Sequence, residues 1–204
     1  GSSSSIDFHS ACNFAATLKV PIIFFCRNNG FAISTPVDEQ YAGDGIVSRA
    51  PGYGMAGIRV DGNDIFAVSA VVKAAKEYVL ANSAPIMIEA MTYRQGSHST
   101  SDDSTLYRNV MDVEKIAEFA DPVKRLEAFL TQIGWVDSDS LAAARDEEKK
   151  AVLNAVMTAQ QRPSPPLKFL FQDVYHQVPN HLREEEEGLR RHIAKYPDNY
   201  ETST

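Results

Sequence analysis

Apolar residues near the start of the chain recur at helical spacing. Phe8, Ala11, Cys12, Ala15 and Leu18 share one face, which predicts a helix from Ser5 to Lys19 with Ser5 near its cap. After Pro21 the pattern becomes a continuous apolar run, Ile22 to Phe25, that stops at Arg27-Asn28-Asn29-Gly30. A run of that length ending in polar residues predicts a buried parallel strand whose carboxyl end opens onto a crevice. The stretch from Asp38 to Gly54 contains Gly43, Gly45, Pro51, Gly52 and Gly54 and reads as irregular loop with about one helical turn. A short strand, Ile58 to Val60, then ends in Asp61-Gly62-Asn63-Asp64, a turn that also supplies helix-capping acids. Ile65 to Leu80, rich in Ala and Val, predicts a mostly buried helix. Ile86 to Met91 predicts a strand whose end, Thr92-Tyr93-Arg94, points toward the same crevice. Helix, strand, loop, strand, helix, strand is the order of an α/β fold with a parallel sheet flanked by helices.

Past Gly96 the pattern changes. Ser97 to Thr105 is small, polar and acidic, has almost nothing to bury, and predicts a mobile loop. Leu126, Phe129, Leu130 and Ile133 mark a helix closed by Gly134, and Leu141 to Gln160 predicts another. Arg162-Pro163-Ser164-Pro165-Pro166 is a stiff linker. Phe169 to Tyr175 is apolar enough to pack on a neighbour. A last helix, about His181 to Lys195, carries the run Glu184 to Glu187, which reads as a solvated face. The chain therefore divides into an α/β region at 1–135 and a helical tail at 136–204, with the Pro-rich linker at 162–166.

Composition narrows the function classes. The chain has 204 residues, 44% of them hydrophobic, and no apolar run long enough for a membrane span. Its formal net charge of −7, with no basic cluster to offset it, argues against a nucleic-acid surface. Cys12 and Cys26 lie in apolar segments without a metal or redox spacing, so they read as reduced, buried thiols. No signal or transit peptide is visible.

The candidate chemistry sits at the end of the first strand. Arg27 offers a guanidinium fork for a phosphate, an Asn oxygen can ligate a hard cation, and Gly30 permits a tight turn. Together they suggest a metal–diphosphate cofactor. A strand that simply ends in an Asn-Gly turn fits the same spacing, and the spacing alone leaves both readings open.

The residues also resemble a known family. Arg27-Asn28-Asn29-Gly30-Phe31-Ala32-Ile33-Ser34-Thr35-Pro36 is similar to the second half of the thiamine diphosphate motif in alpha subunits of 2-oxoacid dehydrogenases. Tyr93-Arg94-Gln95-Gly96-Ser97-His98-Ser99-Thr100-Ser101-Asp102-Asp103 resembles the regulatory loop of the same subunits, and the order of the two motifs agrees. The loop, the Pro-rich linker and Phe169 to Tyr175 are most similar to the branched-chain members. The resemblance implies the carboxyl-terminal part of an alpha subunit, with a partial thiamine diphosphate-binding α/β fold and a helical tail.

By resemblance, Arg27 and His98 bind the diphosphate, and His98 also assists proton transfers as the catalytic residue. Asn29 and the backbone carbonyl of Phe31 ligate Mg2+, and Gly1 and Ser2 fall beside the cofactor. Ser99 is the regulatory phosphorylation site. A pairing of Arg94 with Asp102 is expected to hold the loop in its ordered form. Asn109 stands where some relatives carry a second phosphoserine. The acidic metal ligand of the family's first motif has no counterpart here, and Ser2 to Ile6 departs from the pattern expected after it. The implied reaction is oxidative decarboxylation of branched-chain 2-oxoacids with acyl transfer to a lipoyl group. Its implied partners are a beta subunit in an α2β2 heterotetramer, a lipoyl-bearing acyltransferase core, and a regulatory kinase and phosphatase. The implied location is the mitochondrial matrix, with the bacterial cytoplasm as the alternative. The 204-residue chain alone is expected to be inactive and to expose strand edges or apolar helix faces. A pyruvate or acetoin dehydrogenase alpha subunit and a non-catalytic assembly module are the competing readings.

Overall fold

The computed structural model describes residues 1–200, which separate into two compact units, Gly1–Asp137 and the residues from Ser138 onward. In the first unit, helix α1 (Ile6–Thr17) begins at Ser5 and buries Cys12 and Ala15. Strand β1 (Ile23–Asn28) follows, then a two-stranded antiparallel hairpin, β2 (Phe31–Ala32) and β3 (Thr35–Pro36). Short turns of helix, α2 (Val37–Gln40), a 3-10 turn at Val47–Arg49 and α3 (Ala50–Tyr53), lead into strand β4 (Ala56–Asp61). Helix α4 (Ile65–Asn82) crosses back to strand β5 (Ile86–Met91). Helices α5 (Val110–Phe119) and α6 (Pro122–Gln132) complete the unit.

The three long strands form one parallel sheet in the order β1-β5-β4. The central strand is β5, in which Ile86 to Ala90 are all buried. Side chains alternate across the sheet, so β5 serves two cores. Ile86, Ile88 and Ala90 pack with Val60 and with Ala75 and Val79 of α4. On the opposite face Met87 joins Cys12 of α1 with Ile46, Ala50 and Met55. Each fully buried aliphatic side chain contributes about 1.5–3 kcal/mol. Asp64 starts α4 as a true cap, its Oδ1 accepting hydrogen bonds from the amides of Phe66 and Ala67 at 3.0 Å each.

Several expectations require correction. The strand at Ile22 to Phe25 was expected to be buried. Among the described residues β1 lies at the sheet edge, paired only with β5, and Phe25 is 46% exposed. Helix α4 buries only Ala75 and Val79 and leaves Ile65, Phe66 and Leu80 exposed, because a three-stranded sheet is too narrow to cover a helix of that length. The region 38–54 holds three short helical turns rather than one. Helix α5 and the β2–β3 hairpin were not foreseen. The exposed apolar faces that were expected are present: Ile6, Phe14 and Leu18 of α1 lie on the surface.

The second unit consists of α7 (Ser138–Gln160), a short α8 (Phe169–Gln172) after the proline-rich stretch, and α9 (Asn180–Lys195). In α9, Glu186 pairs with Arg190 and Glu187 with Arg191 one turn on, which places this acidic run on a charge-paired surface face. Phe171 is buried, while Phe169, Leu170, Val174 and Tyr175 are more than half exposed. Among the described residues no helix is long and apolar enough to cross a membrane.

Candidate cofactor site

A cleft of about 720 Å3 opens at the carboxyl end of β1 and runs along that strand's outer edge. Volumes of this order suit small-molecule cofactors. Gly1, Ser2, Arg27, Asn29, Phe31, Arg94 and His98 all line it. Residues far apart in sequence thus meet at one place: the amino-terminal turn, the strand end, the hairpin and the loop after β5. Arg49 holds the amino-terminal turn there by donating to the carbonyl of Ser3 at 2.6 Å. Phe8, Phe24, Ile33, Val37 and Ile46 give the cleft an apolar wall.

Between Asn28 and Phe31 the chain makes two overlapping side-chain turns. Asn28 Oδ1 accepts from the Gly30 amide at 3.1 Å, and Asn29 Oδ1 accepts from the Phe31 amide at 3.1 Å. Gly30 adopts φ +84°, which a side chain would strain. The Val37 amide donates to the Gly30 carbonyl at 3.0 Å, so the Gly30/Val37 pair is the hydrogen-bonded one. Antiparallel pairs alternate, and the next pair, Phe31 and Pro36, is then the non-bonded one, with the Phe31 carbonyl directed away from the hairpin. Pro36 has no amide hydrogen to offer in any case. Asn29 Oδ1 keeps a second lone pair, and it and the Phe31 carbonyl are oxygen donors of the type that a hard cation takes. Among the described residues no cluster of three or more His, Cys, Asp or Glu could hold a metal, and further oxygens would have to come from the cofactor's phosphates or from other chain.

The loop after β5 is tied down at several points. Arg94 Nη2 donates to the carbonyl of Ile33 at 2.7 Å and to the Tyr107 hydroxyl at 2.6 Å. Tyr107 donates in turn to Asp102 Oδ2 at 2.6 Å, and the same oxygen accepts the His98 amide at 2.7 Å. The expected Arg94–Asp102 pairing is therefore relayed through the Tyr107 hydroxyl, which accepts from one side chain and donates to the other. The Tyr107 hydroxyl and the His98 amide hold the Asp102 carboxyl below its ordinary range. Arg108, buried and unnoticed in the sequence, donates to the carbonyls of Arg94 and Gly96. Its guanidinium and that of Arg94 lie 5.6 and 5.4 Å from the centre of the Phe31 ring. Ser99 is exposed outside the cleft, within hydrogen-bond distance of the Ser101 hydroxyl.

Behind the site lies Glu89, the acid that sequence reasoning missed. It sits within an apolar strand, and only the polar residue in the run Ile86 to Met91 could have signalled it. It has no exposed surface. Burial pushes its carboxyl up, but hydrogen bonds from Asn28, the amides of Ile46 and Val47, and Arg59 more than compensate, and it titrates below its ordinary value. Cys26, in the cleft wall, has its thiol pushed up to about 11, chiefly by burial and then by Cys12 and Glu89. It is a protonated wall residue at neutral pH and not a nucleophile.

Comparison with known proteins identifies the family of the chain. Residues 1–168 match the family model "Dehydrogenase E1 component". The chain is 50% identical over 200 residues to the mitochondrial 2-oxoisovalerate dehydrogenase subunit alpha of Pan troglodytes, covering 98% of this chain and 45% of that protein. The corresponding subunit of Caenorhabditis elegans is 48% identical, with 98% of this chain and 46% of the relative covered. Subunit alpha 1 of Arabidopsis thaliana is 42% identical over 98% of this chain and 42% of its own length. The chain thus spans less than half the length of these curated relatives. With the family match over more than three quarters of its residues and the cleft where the sheet's strand ends would place it, the chain belongs to the dehydrogenase E1 component family.

Proposed function

We propose that this chain forms part of the alpha subunit of a branched-chain 2-oxoacid dehydrogenase and holds the diphosphate end of thiamine diphosphate. The single observation that carries the reading is the convergence of Arg27, Asn29, Phe31 and His98 on one cleft at the carboxyl end of a parallel strand. Identity near 50% to 2-oxoisovalerate dehydrogenase subunits supports the substrate class. Magnesium completes the assignment. Asn29 Oδ1 and the Phe31 carbonyl would ligate it, and the Arg27 guanidinium would engage phosphate oxygens as a fork. Gly1 and Ser2 would border the cofactor from the amino-terminal turn.

When bound, thiamine diphosphate supplies the electron sink that lets a 2-oxoacid lose carbon dioxide. The chain's own contribution is position and charge. Arg27 neutralises the phosphates, and the apolar wall from Phe24 to Ile46 limits water. His98, its amide fixed by Asp102, lines the cleft from the loop, and its imidazole would hold a proton near the reacting end. Oxidation and acyl transfer would then require a lipoyl-bearing acyltransferase, and completion of the site a beta subunit. The relatives are named as subunits and as mitochondrial, which supports assembly with other chains and a location in the matrix.

Ser99 would be the regulatory position. A phosphate there adds about −1.5 to −2 charges. It would stand close in sequence to Asp102 and Asp103 and beside a cleft built for a diphosphate, opposing both loop order and cofactor binding. The residues of the 204-residue chain alone would not complete the reaction.

The test uses the full-length protein in its native assembly with an artificial electron acceptor, fed 3-methyl-2-oxobutanoate or pyruvate. Turnover that requires thiamine diphosphate and favours the branched acid is the expected result. A preference for pyruvate would reassign the substrate class. Stable assembly with a partner subunit but no cofactor-dependent turnover of either acid would reduce the chain to an assembly module.

A further inference from the structure

Glu89 poses a question that packing does not answer. A buried carboxylate costs several kcal/mol unless it is fully paired, and a hydrophobic residue of similar size often serves a core as well. Here the carboxylate is fully used. Oε1 accepts from Asn28 Nδ2 at 2.8 Å and from the Ile46 amide at 2.8 Å. Oε2 accepts from the Val47 amide at 3.0 Å and from Arg59 Nε at 3.1 Å. Gly45, at φ +71°, lets that loop approach so closely that a Cβ there would lie 2.7 Å from both carboxylate oxygens. The four donors come from β1, β4 and the loop between the hairpin and α3.

Two of these donor residues, Asn28 and Ile46, line the cleft, and of the two only Asn28 adjoins the Asn29–Phe31 turn. Asn28 is itself buried, and it is gripped at both ends: its Nδ2 by Glu89, its Oδ1 by the Gly30 amide. The next residue is Asn29, whose side chain lines the cleft, and two further on is Phe31. Fixing the Asn28 side chain therefore fixes the backbone of the turn that presents the Asn29 oxygen and the Phe31 carbonyl.

We propose that Glu89 is a positioning residue for the cation-binding turn, acting through Asn28, so that the two oxygen donors are preset before any cation arrives. The inference rests on the magnesium–thiamine diphosphate reading above and assigns Glu89 and Asn28 roles within that site. A glutamine at 89 would confront two of the four donors with an amide NH2, so a neutral isostere cannot preserve the grip.

The experiment is a set of magnesium titrations at fixed thiamine diphosphate, followed calorimetrically, with the full-length protein in its native assembly. Each variant's melting temperature is recorded alongside. Asn28→Ala and Glu89→Gln are each expected to raise the half-saturating magnesium concentration about tenfold, a difference of roughly 1.4 kcal/mol. The double variant should be no worse than the weaker single one, because both act on one link. Arg59→Gln, which loses a Glu89 partner remote from the turn, should lower the melting temperature yet leave half-saturation within about twofold. Unchanged half-saturation in Asn28→Ala would overturn the proposal, and that variant decides the matter even if Glu89→Gln fails to fold. Full additivity of the two substitutions, with matched losses of melting temperature, would also overturn it by showing a general structural role. Absence of any magnesium-dependent cofactor binding by the unaltered protein would instead remove the reading on which the proposal stands.

Discussion

Strand β5 faces two different environments, and their contrast organises the molecule. Toward α4, Ile86, Ile88 and Ala90 pack into an apolar cluster, and that face is a conventional core. Toward α1 and the loop from Ile46 to Ala50, the same strand places Met87 among apolar groups and then Glu89 among four polar donors. One face supplies cohesion without geometry that matters to a ligand. The other gives up part of its cohesion to hold a carboxylate, a carboxamide and a turn in fixed positions at the edge of the cleft. Substitutions on the two faces should therefore fail in different ways.

The largest effect belongs to the apolar face. Ile88 is fully buried. Ile88→Ala should lower stability by about 2–5 kcal/mol in chemical denaturation, while cofactor affinity of the molecules that remain folded stays close to normal. A loss of affinity larger than the loss of stability would blur the contrast.

The next effect is on the polar face and depends on pH. Because the folded Glu89 carboxyl lies below its ordinary value of 4.5, its stabilising contribution is complete above that value. It is lost as the pH falls through the folded value. Glu89→Gln should cost about 1–3 kcal/mol near neutrality for each donor left unpaired, and it should flatten the acid limb of the stability curve. Urea midpoints measured at pH 7 and below pH 4.5 would show this. Equal acid sensitivity in the two proteins would place the titration elsewhere.

The smallest effect on global stability lies in the loop. Asp102→Ala removes the acceptor of both the His98 amide and the Tyr107 hydroxyl. Cleavage within Ser97 to Ser104 by a nonspecific protease should become several-fold faster, with the melting temperature almost unchanged. Tyr107→Phe should resemble it, since Tyr107 carries the link from Arg94. If only Asp102→Ala accelerated cleavage, the relay through Tyr107 would be unnecessary to loop order.

Much of this was legible in the sequence, for reasons that the contrast explains. The period of the apolar pattern placed α1, α4 and β5 within a few residues, because period reports the type of element even where part of its apolar face stays exposed. The strand end at Arg27 to Gly30 and the loop at Arg94 to Asp102 were readable because several polar groups follow an apolar run. Glu89 was not, because one acid inside a strand looks the same whether it faces solvent or four donors. Arg108 was missed for a similar reason: its role is set by the carbonyls of Arg94 and Gly96, which no local pattern encodes. The exposure of Phe25 and of much of α4 could not be read either, since it depends on how many strands lie beside them.

The central claim is that Arg27, Asn29 and His98 serve one bound diphosphate and its cation. Thiamine diphosphate titrated calorimetrically into the full-length assembled protein, with magnesium, tests it most directly when repeated for Arg27→Ala, Asn29→Ala and His98→Ala. Each substitution should weaken binding by about tenfold or more, and pairs should combine non-additively, as groups on a shared ligand do. Binding that survives all three substitutions unchanged would contradict the account.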